Sequence, residues 1–313
     1  MLKARFIYNP RSGSNTRNPG VIERTRRFIA ENAARLDAAL VSTTHPRHAT
    51  TLARDAVAAG CALVVAIGGD GTLNEVAAGL LHTPATLGLI PCGSGNGLGR
   101  HLGIPGPGEP AFHTLLHGTP RLIDTGLVNA THPFFNVMGL GFDAEISRRF
   151  HALARRGLPA YLRLIAAAWL RYRRPALAII EPPAARIATR AFILAIANSE
   201  QYGNNGCIAP GALLDDGLLD LTLIRRAHPL NALPLALRLL TGKLRPSRNI
   251  RRVRAAHFVI ERAAPGLIHT DGEPHELPAR LEVRVVPRSL RILAPQERKK
   301  TPPGMPDAER PAR

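Results

Sequence analysis

Ala62-Leu63-Val64-Val65-Ala66-Ile67-Gly68-Gly69-Asp70-Gly71-Thr72-Leu73-Asn74-Glu75 is the stretch that decides the fold. Its first six residues are an apolar, β-branched run, the composition of a strand buried on both faces. A glycine turn follows and opens a helix, read over Thr72–Leu81. Glycine lets the main chain approach a ligand closely. A helix start adds unpaired N–H groups and a positive dipole end, which suit phosphate. Asp70 is unfavourable beside phosphate unless a divalent cation lies between them; the plain alternative is a helix cap.

The same alternation extends outward from this stretch. Strands are expected at Ala4–Asn9, Ala38–Thr43 and Thr86–Ile90. Helices are expected from Asn18-Pro19 to about Arg35, and over His48–Ala59 with Gly60 as the stop. Strand–helix alternation predicts a parallel sheet covered by helices, with ligands at the carboxyl ends of its strands. The loops at that edge are Asn9–Ser14, Gly68–Thr72 and Pro91–Gly99. The last reads Pro91-Cys92-Gly93-Ser94-Gly95-Asn96-Gly97-Leu98-Gly99, a second phosphate-cradling loop with Ser94 and Asn96 as donors. Its spacing is neither G-x-G-x-x-G nor a P-loop. In the first loop Arg11 can pair a phosphate.

Beyond Ile123 strand-like runs dominate: Phe134–Met138, Ala176–Ile180, Ala191–Ala197, Leu218–Ile224, His257–Ile260, Leu281–Val286 and Leu290–Leu293. Helical stretches near 143–156, 159–172 and 229–241 interrupt them. This texture predicts a second, mostly antiparallel β domain. Two acidic clusters stand out there. Asp215-Asp216-Gly217-Leu218-Leu219-Asp220 reads as a hard-cation site or as a plain Asp-Gly turn. His269-Thr270-Asp271-Gly272-Glu273-Pro274 reads as a turn between strands, in which Glu273 is a candidate general base. From Pro295 the composition is that of a disordered tail.

The 313 residues allow one large domain or two ordinary ones, and 45% hydrophobic with 20% charged residues is a globular balance. Forty-one Lys and Arg against 23 Asp and Glu give +18, which implies an anionic partner. The charge is concentrated: eight arginines and no acid over Ile146–Ile180, and nine Lys or Arg and no acid over Leu221–Ile260. These read either as solvated faces or as surfaces for anionic lipid. Few aromatics and no nucleic-acid motif argue against nucleic acid. In the stretch 158–172, Tyr161, Leu162, Leu164, Ile165, Trp169 and Leu170 lie between Arg155, Arg156, Arg171, Arg173 and Arg174. That stretch reads as an interfacial helix or as one packed on the β domain. It is shorter than the ~20 apolar residues of a membrane span. Cys61, Cys92 and Cys207 lack metal-ligand spacing and fit a reduced, cytoplasmic setting.

Taken together, the motifs resemble the diacylglycerol-kinase catalytic-domain family, which includes bacterial soluble lipid kinases and the eukaryotic sphingosine and ceramide kinases. The resemblance runs from about Phe6 to Leu293. It rests on Asn9-Pro10-Arg11-Ser12-Gly13, Gly68–Glu75, Gly93-Ser94-Gly95-Asn96, Asn136-Val137-Met138-Gly139-Leu140-Gly141-Phe142-Asp143, Ala209-Pro210 with Asp216–Asp220, and Asp271-Gly272-Glu273-Pro274. It implies an N-terminal α/β nucleotide-binding domain over 1–123 and a C-terminal antiparallel β-sandwich over 124–288. A last strand near 289–294 would return to the first domain, ATP would lie in the cleft between the two, and 295–313 would form the tail.

The resemblance further implies an ATP- and magnesium-dependent lipid kinase of phospholipid metabolism, peripheral to an anionic membrane. ATP would be contacted by Asn9, Arg11, Thr43, Gly68, Gly69, Asp70, Gly71, Thr72, Leu73, Asn74, Glu75, Gly93, Ser94, Gly95 and Asn96. Glu273 would deprotonate the lipid hydroxyl, and Asp70 would join the catalytic magnesium network. Asp216, with the carbonyls of Leu213 and Leu218, would hold a structural magnesium. One departure points within the family. Gly97 stands where many bacterial diacylglycerol kinases carry Asp, a pattern nearer the sphingosine-kinase branch. There an acid after Gly141-Phe142 meets the amino-alcohol headgroup; Asp143 is the candidate and Glu145 the next, and an N-cap is the plain reading of Asp143. Two other functions are weighed. A NAD kinase shares Gly-Gly-Asp-Gly-Thr, but its Thr-Gly-Ser-Thr-Ala-Tyr signature is absent. A non-catalytic nucleotide- or lipid-binding regulator would not need Glu273, Asp70 and Asp216 all retained. The oligomeric state, homodimer included, is left open.

Overall fold

The structure, a computed structural model, describes residues 1–10, 20–104, 106–151, 167–169, 172, 174–181, 185–203, 206–227 and 229–296. The first part alternates as expected: β1 (Leu2–Tyr8), α1 (Gly20–Glu31), β2 (Leu36–Ser42), α2 (His48–Ala58), β3 (Leu63–Gly68), α3 (Asp70–Leu80) and β4 (Thr86–Pro91). α4 (Gly97–His101) and α5 (Glu109–His117) complete it. The four strands are parallel and ordered β2-β1-β3-β4. Every residue of β3 and β4 is buried, because helices cover both faces of a parallel sheet. α1 stops at Glu31, short of Arg35, and the Asn32 amide donates to the Phe28 carbonyl at 2.8 Å to close its last turn. The chain moves from β1 outward to β2 and then to β3 on the other side. The switch point of the sheet therefore lies between β1 and β3, and their carboxyl-end loops flank it.

The second part holds β5 (Thr119–Val128), β6 (His132–Phe134), β7 (Val137–Gly141), α6 (Phe142–His151), β8 (Ala176–Glu181), β9 (Ala185–Arg190) and β10 (Ile193–Ala197). After these come β11 (Gln201–Gly203), β12 (Gly206–Cys207), β13 (Leu219–Ile224), α7 (Pro229–Leu240), β14 (Ile250–Ala255), β15 (His257–Arg262), β16 (Gly266–Thr270), β17 (Glu273–Leu277) and β18 (Arg280–Ala294). Among the described residues a six-stranded antiparallel sheet, β14-β13-β10-β7-β16-β17, faces the β5, β6, β8, β15 and β18 portion of the large sheet. Alternate residues point inward from both: Leu219, Leu221 and Leu223 from one side, Leu281, Val283 and Val285 from the other.

Two readings need revision at this level. Phe134–Met138 is two strands, β6 and β7, because the main chain of 135–137 turns to bond Asp271. Leu281–Val286 and Leu290–Leu293 belong to one strand, β18, with an irregularity between Val286 and Leu290. There Arg288 adopts φ 49° and its N–H donates to Asp124 at 2.8 Å. Through that bend β18 passes from the sandwich to pair β4 at Ile292 and Leu87. The boundary read between 123 and 124 falls inside β5, which pairs β18 along its length. Arg11 and most of 158–172 lie outside the described residues. Trp169, from that stretch, packs edge-on against Phe142 with ring centroids 5.5 Å apart.

Candidate active site

The two glycine loops lock together through Asp70. Its Oδ2 accepts the Asn96 N–H and its Oδ1 the Gly97 N–H, both at 2.9 Å. The fit permits no side chain at the contacts. A Cβ on Gly93 would lie 2.8 Å from Gly69 Cα, and one on Gly95 would lie 2.5 Å from Asp70 Oδ2. Asn96 turns the loop in the left-handed region, φ 50°, with its amide donating to the Gly93 carbonyl at 2.8 Å. Ser94 is exposed at the tip, and Gly71 is exposed at the start of α3. This leaves a helix start and a serine loop side by side at the strand ends, which is the donor arrangement a phosphate chain needs. Gly95→Ala should therefore raise the Kd for ATP on the order of tenfold in calorimetry by separating the loops, with helix content unchanged.

Other residues of the first glycine motif have structural tasks. Leu73 is a core residue, 7% exposed, and offers a ligand only main chain. Thr72 is buried under Gly68, where a Cβ would meet its Oγ1 at 2.7 Å. The Glu75 carboxylate accepts the N–H groups of Arg47 and Ala49 at 3.2 and 3.1 Å, so it caps α2 rather than facing the loops. Asn74 follows Leu73 on α3. Thr43 is buried after β2, with its N–H bonded to the Tyr8 carbonyl, one residue before Asn9.

A line of contacts joins the loops to Glu273. A Cβ on Gly97 would lie 3.3 Å from the Asn136 side-chain amide. The N–H groups of Phe135, Asn136 and Val137 all donate to Asp271, at 2.7, 2.8 and 2.8 Å. Asp271 and Gly272 form the two-residue turn of the β16–β17 hairpin, with φ 50° and 87°, and Glu273 opens β17 opposite Thr270. Burial pushes the Asp271 carboxyl up to about 6; its three N–H partners pull it back, and the Asp70 charge adds to the rise. Glu273 itself is exposed.

Asp143 sits behind the hairpin rather than open to a ligand. Its side chain is 5% exposed, and its Oδ2 accepts the Tyr202 hydroxyl and, at 3.1 Å, the His269 Nε2–H. His269 Nδ1 accepts the Gly272 N–H at 3.2 Å, which fixes the ring proton on Nε2. The Ser147 hydroxyl donates to the Gly272 carbonyl. In this position the carboxylate orients the histidine that holds the turn bearing Glu273. Glu145 pairs with Arg148 and Arg149 on the surface of α6. His269 opens the second acidic cluster without a role of its own there, and Tyr202 carries no motif, because only the fold brings them to Asp143. Replacing His269 by Leu should displace the turn that bears Glu273; with Glu273 as the base, kcat would fall roughly tenfold to a hundredfold with the KM for ATP unchanged. His269→Asn, which keeps an acceptor near Nδ1, should recover most of that loss.

The acidic turn of 213–220 was tested for magnesium on its donors. Asp216 Oδ1 accepts the Leu218 N–H at 3.1 Å, and Arg254 approaches Oδ2 at 3.6 Å. Asp215 pairs with Arg121, and Asp220 with Arg252 and Arg254. Among the described residues no three His, Cys, Asp or Glu side chains cluster. One carboxylate and two carbonyls fit a largely hydrated hard cation. The buried Asp124, which motif reading overlooked, ties this turn to β18 by accepting the N–H groups of Gly217 and Arg288.

An α/β sheet with interlocked glycine loops is thus joined by its last strand to a β-sandwich that presents a carboxylate hairpin, one two-part architecture. Residues 3–128 match the diacylglycerol kinase catalytic domain, and residues 136–294 match the YegS C-terminal NAD kinase beta sandwich-like domain. A protein of Chromohalobacter salexigens named "Probable lipid kinase YegS-like" is 32% identical over 78% of this chain and 80% of its own. The diacylglycerol kinase of Bacillus subtilis is 30% identical over 87% of this chain and 90% of its own. A solved structure titled as a diacylglycerol kinase from Bacillus anthracis superposes with a TM-score of 0.67 at 19% identity, covering 94% of this chain and 97% of that one. The chain belongs to the diacylglycerol-kinase catalytic-domain family of lipid kinases.

Proposed function

We propose that the protein transfers the γ-phosphate of ATP to a hydroxyl of a lipid, a diacylglycerol, sphingoid base or similar, with Glu273 as the general base. The observation that carries this reading is the line Asp70–Gly97–Asn136–Asp271–Glu273, which ties two phosphate-type loops to one exposed carboxylate. Glu273 accepts the hydroxyl proton as the lipid oxygen bonds to the γ-phosphorus. The bond to the bridging oxygen breaks and ADP leaves. N–H groups at the start of α3 and the Ser94 loop hold the phosphates, and Asp271 and His269 hold the turn. Magnesium, when bound with the nucleotide, would neutralise the phosphate charge near Asp70. A second ion at Asp216, Leu213 and Leu218 would brace the turn that Asp124 joins to β18.

The test is label transfer from γ-labelled ATP to a panel of diacylglycerol, sphingosine, ceramide and phosphatidylglycerol in anionic mixed micelles. Label in one lipid names the acceptor. ATP binding without label in any lipid would favour the regulator reading.

A further inference from the structure

We propose that the outer face of α7 is a docking surface for an anionic lipid bilayer. Leu233, Leu237 and Leu240 are 69%, 52% and 52% exposed, large apolar side chains left in water. Their spacing of four and three residues puts them on one stripe of the helix. Leu235 and Leu239, between them, pack against the core beneath. Exposed Arg238, Lys243 and Arg245 line one surface hollow with Leu237, and exposed Arg226, Arg248 and Arg251 belong to the same segment of chain. The segment Leu221–Ile260 supplies them no carboxylate of its own, and neighbouring Asp220 is taken up by Arg252 and Arg254.

An apolar stripe beside cationic side chains matches an anionic bilayer on both counts, acyl boundary and headgroup. A second copy would bring the same six cations on a chain of formal charge +18. Nucleic acid would need bases to stack, and the aromatic residue of this segment, Phe258, is buried. At 12 residues α7 is too short to span, so it would lie in the plane of the surface. Below it, Gly242 lies against Cys207 of β12; the partner strand β11 bears Tyr202, which bonds Asp143 behind the Glu273 turn. Docking at α7 thus holds the membrane to the part of the fold that carries the catalytic hairpin. Its purpose rests on the lipid-kinase reading; its test does not.

The test is flotation of the full chain with phosphatidylglycerol vesicles, with phosphatidylcholine vesicles as control. The parent should float with the first and not the second, less so as salt rises. A variant with Leu233→Ser, Leu237→Ser and Leu240→Ser should lose binding about tenfold or more. Arg238→Glu with Lys243→Glu and Arg245→Glu should lose it similarly. Thermal melts of both variants should match the parent, because these side chains are exposed. Phosphorylation of a short-chain lipid in detergent micelles should be retained in both. A parent that does not float, or a leucine variant that floats like the parent, overturns the proposal. So does a leucine-dependent dimer in sedimentation without vesicle binding. Leucine-dependent flotation with no phosphorylated lipid in either protein would instead sink the kinase reading and leave this surface standing.

Discussion

Glu273→Gln should abolish phosphoryl transfer, lowering kcat by about 10²–10⁴-fold, while ATP binds with unchanged affinity in calorimetry. Gln keeps the size of the side chain and removes the proton acceptor. Glu273 is exposed at the first position of β17, and no hydrogen bond or ion pair to its side chain is seen among the described residues. The fold therefore loses nothing, and the melting temperature should stay within a degree or so, as for a surface substitution. A fall in ATP affinity equal to the fall in rate would instead make Glu273 a nucleotide contact.

Asp70→Ala should act on the other half of the site and in the opposite way. It strips the acceptor from the N–H groups of Asn96 and Gly97, and both residues are buried. Each unpaired buried N–H costs about 1–3 kcal/mol. The second glycine loop then loses its two hydrogen bonds to the start of α3. Unfolding in urea should show a loss of roughly 2–4 kcal/mol, and ATP affinity should fall with it. Asp70→Asn should be intermediate, because its amide oxygen still accepts one of the two N–H groups. An Asp70→Ala variant as stable as the parent, and defective only in magnesium response, would show that the carboxylate serves the ion and not the loops.

The α/β half was legible because its signals are local. β3 is an unbroken apolar run and β4 a short buried one that ends at a glycine loop, so composition and turn residues suffice to place them. Among the strands of the second half that no sequence pattern marks, β9, β14 and β17 are short, and Arg or Glu stands among their few apolar residues, while β16 carries only two large apolar residues, Leu267 and Ile268. Their pairing is fixed by the facing sheet, which no local pattern records. The same holds in the site. Asp70, Gly93 and Gly95 stand out as motif residues, yet that Asp70 bonds the second loop depends on β3 lying beside β4. Glu75 follows the glycines and looks like part of the loop. One helical turn on, its side chain already faces α2. Asp143 and His269 are 126 residues apart, and only the pairing of β16 with β7 makes them partners.

The most direct test of the central claim is label transfer from γ-labelled ATP into organic-extractable lipid, with the parent, Glu273→Gln and Asp70→Ala run side by side. The account predicts labelled lipid with the parent, none with Glu273→Gln despite full ATP binding, and none with Asp70→Ala together with weakened ATP binding. Equal lipid labelling by the parent and Glu273→Gln would contradict it, because the carboxylate hairpin and the glycine loops would then not form one active site.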